Sequence, residues 1–125
     1  MARKNKAALY LMVASTIALG AVPFSVTAAP PTAASQAVLK AVTAEVKASA
    51  KDADSVKIRN LRMVKADGVV KFCGEVNAKN SYGGYTGFRP LAGFLMLNGN
   101  KPIHTSVSDI DNVDLSRAMC ARDGF

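Results

Sequence analysis

The sequence predicts an α+β domain: one N-terminal helix packed on a small antiparallel sheet of three or four strands, closed by a single disulfide. Three observations lead there. Val38, Leu39, Val42 and Val46 recur at spacings of three and four, with Lys40, Glu45 and Lys47 on the other faces, the pattern of an amphipathic helix. Asp67-Gly68 joins two runs rich in β-branched and aromatic residues, the signature of a tight hairpin. Two cysteines, Cys73 and Cys120, form an even pair 47 residues apart.

The compartment decides what those cysteines mean. Arg3, Lys4 and Lys6 precede an uncharged apolar run over residues 7–22, and Val26-Thr27-Ala28 supplies the small residues a signal peptidase reads. We therefore read residues 1–28 as a secretory signal peptide. The run falls short of the roughly 20 apolar residues that cross a bilayer, and Pro23 interrupts its end. Membrane contact is expected only in transit, with a periplasmic or secreted destination in a Gram-negative cell. In an oxidising compartment the pair closes most simply on itself, which would constrain the unfolded chain by about 4 kcal/mol. A metal or redox pair is the weaker reading, because the chain has no C-x-x-C and a single histidine, His104.

After the leader, residues 29–34 with Pro30 and Pro31 read as a flexible N-terminus, and residues 35–125 as one small domain. The helix starts under a Thr32 or Ser35 cap and ends before Asp52-Ala53-Asp54-Ser55. Its stripe is narrow and alanine-rich, so it needs a sheet to lie on. The first strand covers residues 56–65, but Val56 and Ile58 have one parity and Leu61 and Met63 the other. That phase change near Arg59-Asn60 predicts a bulge or twist. Lys57, Arg59, Arg62 and Lys65 give the strand a basic, solvated face.

The second strand, residues 69–77, points Val70, Phe72 and Val76 to the core. Cys73 has the opposite parity, where the C-terminal segment can reach it. Residues 79–87 break the strand rhythm with Asn80-Ser81 and Gly83-Gly84. Residues 88–97 then resume as a strand apolar on both faces, hence central or helix-covered, with Pro90 tolerable only at its start. Asn98-Gly99 turns into a short fourth strand over residues 102–107, and residues 109–119 supply a helical turn that delivers Cys120.

The string C-G-E-V-N-A-K-N-S-Y-G-G-Y-T-G-F-R-P, preceded by D-S-V-K-I-R-N-L-R, resembles a family of short exported proteins of Gram-negative bacteria and their phages that has no established activity. The resemblance covers about residues 52–97 plus the terminal cysteine. It implies export, small size and a disulfide partner near the C-terminus.

Composition narrows the function. Without the leader the chain carries thirteen Lys and Arg against nine Asp and Glu, about +4, with no block of like charge, so no nucleic-acid footprint is indicated. The stretch around Glu75, Asn77, Lys79, Asn80, Tyr82, Tyr85 and Arg89 is the candidate partner-binding surface, its aromatics able to stack a sugar or peptide over close-approaching glycine backbone. Those aromatics also fit a role covering glycine backbone and filling a small core, and the asparagines a role satisfying the turn. No catalytic set is readable: Ser81 lacks a nucleophile elbow, and Asp109, Asp111 and Asp114 lack the glycine and distal glutamate of a calcium loop, which leaves helix capping. No metal site or cofactor is expected. The leading reading is a non-enzymatic module that binds an envelope protein or glycan; the rivals are a small hydrolase or transferase using Glu75 and a passive envelope component.

Overall fold

A computed structural model describes residues 20–21 and 29–125. The leader, apart from Gly20 and Ala21, lies outside the described residues. Helix α1 (Gln36–Ser49) starts where Ser35 accepts a hydrogen bond from the Val38 amide, and it buries Val38, Val42 and Val46. The sheet is a meander of five antiparallel strands in chain order: β1 (Thr32–Ala33), β2 (Lys57–Ala66), β3 (Val69–Asn77), β4 (Arg89–Asn98) and β5 (Lys101–Val107). A second helix, α2 (Val113–Arg122), ends the fold.

The expected three or four strands are thus five, because β1 lies in the segment expected to be flexible. Thr32 pairs with Met63 and Ala33 with Arg62, and the Ala34 amide donates to the Leu61 carbonyl. Pro30 and Pro31 hold the preceding chain extended, which presents a strand too short to show any periodicity. The expected C-terminal turn is a ten-residue helix that contains Cys120, and its N-cap is Asn112, which accepts from the Leu115 amide, rather than any of the three aspartates.

The phase change in β2 is a bulge. Arg59 pairs with Glu75 and Arg62 with Cys73, so Asn60 and Leu61 together oppose Gly74. Asn60 takes the left-handed conformation at φ 53°, which asparagine adopts more readily than most residues. Bulging one residue out brings Ile58, Leu61 and Met63 onto one face, where they join Val70, Phe72, Val76, Leu91 and Leu95 beneath α1. It leaves Lys57, Arg59 and Arg62 on the other face. Lys65, in register with Val70, falls on the α1 side and leaves the basic row. Gly74 is required opposite the bulge, because a Cβ there would lie 3.0 Å from Leu61 Cδ1 and 3.2 Å from the Arg59 carbonyl oxygen.

Cys73 and Ala92, buried on the second face, carry α2. The Cys73–Cys120 disulfide spans a Cα–Cα distance of 5.8 Å, in the ordinary range. The Ser116 hydroxyl, fully buried, lies 2.7 Å from that of Ser108 at the exit of β5. The Asp123 carboxylate, only 4% exposed, receives Lys71 of β3 at 3.0 Å and Arg122 at 3.1 Å. Strand β4, expected to be central or helix-covered, is central between β3 and β5, and α2 leaves its Phe94 and Met96 38% and 44% exposed.

Phe72 lies across from Gly93, and a Cβ on Gly93 would meet the Phe72 ring at 2.6 Å and the Ser106 carbonyl oxygen closer still. Gly93→Ala is therefore expected to destabilise the domain by about 1–3 kcal/mol or more through overpacking, read as a lower urea midpoint. A midpoint at or above that of the parent would show that β4 and the Phe72 ring do not meet in this way.

Candidate functional site

The stretch between β3 and β4 folds into a small ordered hairpin. Lys79 bridges Tyr85, the Asn80 amide donates to the Gly84 carbonyl, and the Gly83 amide donates to the Asn80 carbonyl. The Asn80 side chain accepts from the Tyr82 and Gly84 amides at 3.0 and 3.1 Å, so this residue builds the turn. Gly83 and Gly87 sit at φ 79° and 87°, conformations that other residues rarely adopt. The hairpin base is tied down where the buried Ser55 hydroxyl accepts from the Lys79 amide at 2.9 Å. Tyr82, at the tip, is 96% exposed.

On the α1 side the hairpin walls a cleft of about 530 Å³. The other walls are the end of α1 with Lys51 and the connection from β5 to α2. Its floor is apolar, from Val76, Val107 and Ile110, and its rim carries Lys51, Tyr82, Arg89, Asp109 and Asp111. Lys51 donates to the Ser81 hydroxyl at 2.6 Å and so couples the helix end to the hairpin. Arg89 donates to Asp111 at 2.9 Å across the opposite wall, while the Asp109 carboxylate accepts from the Asp111 amide. A volume in the range of about 300–1,000 Å³ with a mixed apolar and polar lining suits a small ligand or a short chain segment.

The expected site residues divide between two faces. Lys79, Asn80, Tyr82 and Arg89 line the cleft. Glu75, Asn77 and Tyr85 do not. Tyr85 lies beneath the ammonium groups of Lys57 at 4.8 Å and Lys79 at 5.6 Å, and Phe88 lies under the Arg59 guanidinium at 3.7 Å. The three aromatics therefore do not form one platform. Asn77 buries its Oδ1 with no hydrogen-bond partner among the described residues. His104 is exposed on β5, its ring 6.3 Å from that of Phe94.

Glu75 fastens the bulge. Its carboxylate accepts from Arg59 Nε and Nη2 at 3.0 and 3.3 Å and from Asn60 Nδ2 at 2.8 Å. The bonds from Arg59 and then Asn60 hold its pKa below the ordinary carboxylate value, which is the wrong direction for a general base near neutral pH. The cleft serines are likewise occupied. Ser49 donates to the Val46 carbonyl, Ser81 accepts from Lys51, and Ser108 pairs with Ser116. Among the described residues no group of three or more His, Cys, Asp or Glu side chains is placed to hold a metal.

Sequence reasoning missed Lys51, Asp109, Asp111 and Ile110 as site residues. They belong to two segments that meet the hairpin only in the folded chain. The one signal was indirect, in that the exit from the last strand is short and must pass the end of β3.

Glu75 and Asp123 both have pKa values held down in the folded state, Glu75 by Arg59 and Asn60, Asp123 by Arg122 and Lys71. Each stabilises above the carboxylate value of the unfolded chain, and that stabilisation is lost as pH falls through the lower folded value. Glu75→Gln is expected to lower the urea midpoint at neutral pH and to flatten its decline over roughly pH 5 to pH 3. An unchanged slope would remove Glu75 from the acid transition.

Set against known protein families, curated proteins and solved structures, the chain shows no significant match to any of them.

Proposed function

We propose that this is an exported, non-enzymatic binding module whose 77–89 segment and adjoining cleft capture an envelope protein or glycan. One observation carries the reading: an anchored hairpin holds an almost fully exposed tyrosine at the mouth of a cleft with an apolar floor and a charged rim. Exposing an aromatic ring on a preorganised turn loses burial energy that a small domain can ill spare, and it favours a partner that covers the ring. The disulfide favours an oxidising compartment, and among the described residues no helix is long and apolar enough to cross a membrane. The resemblance to short exported proteins of Gram-negative bacteria and their phages supports the same destination.

The hydrolase or transferase alternative draws no support from Glu75, whose carboxylate is committed to the bulge and lies off the cleft. A passive envelope component would have no use for the exposed ring.

A photo-crosslinking residue in place of Tyr82, introduced in intact cells, is expected to give a discrete adduct with an envelope component. The adduct should weaken when Lys51→Ala is added, while the same crosslinker at Asp67, in the turn far from the cleft, should give none. Equal labelling from both positions, or none from position 82, would refute capture by the hairpin.

A further inference from the structure

The second face of the sheet, the one that carries α2, concentrates the excess charge of the whole domain. Lys57, Arg59 and Arg62 of β2 and Lys71 of β3 lie on it by register, and Lys79 joins them over the Tyr85 ring. Helix α2 adds Arg117 and Arg122. Lys101, paired with Asn98 of β4, lies on this face too. The carboxylates on it are Glu75, Asp114 and Asp123, so eight cations face three anions, a balance of +5. Everything else in residues 29–125 is close to neutral, five Lys and Arg against six Asp and Glu.

The carboxylates are already engaged, Glu75 by Arg59, Asp123 by Lys71 and Arg122, and Asp114 by Arg117 at 3.8 Å. That leaves Lys57, Arg62, Lys79 and Lys101 without a carboxylate in ion-pair range among the described residues. Between and beside these cations the same side exposes large apolar groups: Tyr85, Phe94 and Met96 on the sheet and Leu115 on α2. The cleft described above opens on the other side of the sheet.

Free cations spread over a flat face and interspersed with exposed apolar side chains match a broad anionic interface with an apolar layer behind it. We propose that this face docks the protein on an anionic phospholipid surface, the free cations meeting head-group phosphates and Phe94, Met96 and Leu115 resting at the acyl boundary. A nucleic acid or a soluble polyanion would use the cations but leave those three residues in water. The inference departs from the expectation that membrane contact ends with export. Spacing along the chain hides the surface, because Arg62 joins Lys57 and Arg59 only through the bulge. Of its cations Lys79 alone also lines the cleft, and the surface stands whether or not the hairpin captures a partner.

The test is co-sedimentation of the disulfide-bonded protein with phosphatidylglycerol-containing vesicles and with pure phosphatidylcholine vesicles. Lys57→Glu with Arg62→Glu is compared with Lys40→Glu with Lys47→Glu, which makes the same change in net charge on the exposed side of α1. Binding to the anionic vesicles is expected to fall at least roughly tenfold for the first pair and to change little for the second. Phe94→Ser with Met96→Ser should remove the part of the binding that survives high salt. Should the glutamate pair fail to fold, Lys57→Gln with Arg62→Gln supplies the same comparison. Equal losses for the two pairs, equal binding to both kinds of vesicle, or binding to polyphosphate or single-stranded DNA with none to vesicles would overturn the proposal.

Discussion

One bulge in β2 sets the character of both faces of this molecule. With Asn60 and Leu61 together opposite Gly74, the strand changes phase, and its apolar residues stay under α1 on both sides of the break. Were the strand regular through Asn60, with nothing bulged out, Leu61 and Met63 would turn to the α2 side and Arg62 toward the packed core, since a one-residue slip moves every later side chain to the opposite face. The bulge has identifiable supports. Asn60 tolerates the left-handed backbone, Gly74 leaves room for Leu61, and Glu75 binds Arg59 and Asn60. A carboxylate inside the most distinctive stretch of the sequence is thus explained by architecture, and chemistry need not be invoked for it.

The two helices then divide the labour. Helix α1 closes the hydrophobic core with three valines on a single stripe, a thin contact compensated by the large residues of the sheet below. Helix α2 contributes little apolar burial and is held by covalent and polar ties: the disulfide at Cys73, the Ser108–Ser116 pair and the Asp123 carboxylate on Lys71. A domain of this size has only a few kcal/mol of stability, so a staple closing a 47-residue loop is a large fraction of it. Fixing α2 so also fixes the β5–α2 connection, one wall of the cleft, and the hairpin is fixed from the other side by Ser55 and Lys51.

Much of this was legible in the order of residues. The stripe at Val38, Val42 and Val46, the Asp67-Gly68 turn, the opposite parity of Cys73 and the phase change near Asn60 are local patterns, and local patterns survive folding. Features that depend on distant segments were not legible. Strand β1 is two residues long and exists only because the edge of β2 accepts it. The exposure of Phe94 and Met96 depends on how far α2 reaches. The candidate site was half readable: its hairpin announced itself through asparagine and glycine, but Lys51, Asp109 and Asp111 arrive from elsewhere in the fold, and the aromatics expected to act together were separated by the path of the turn.

The resulting molecule has a partner-sized cleft with an exposed tyrosine on the α1 side and a basic, partly apolar surface on the α2 side. Both depend on the phase of β2. Deleting Asn60 alone, and following urea unfolding of the oxidised protein, tests that dependence most directly. With Asn60 gone, Leu61 alone opposes Gly74, and Ile58, Leu61 and Met63 alternate regularly with Lys57, Arg59 and Arg62, so the deletion keeps a cooperative transition. Deleting Lys71 from the unbulged β3 instead turns its later side chains to the wrong faces and abolishes that transition. An Asn60 deletion that loses the cooperative transition as completely as the Lys71 deletion would show that β2 carries no surplus residue at this point, and the account would fail.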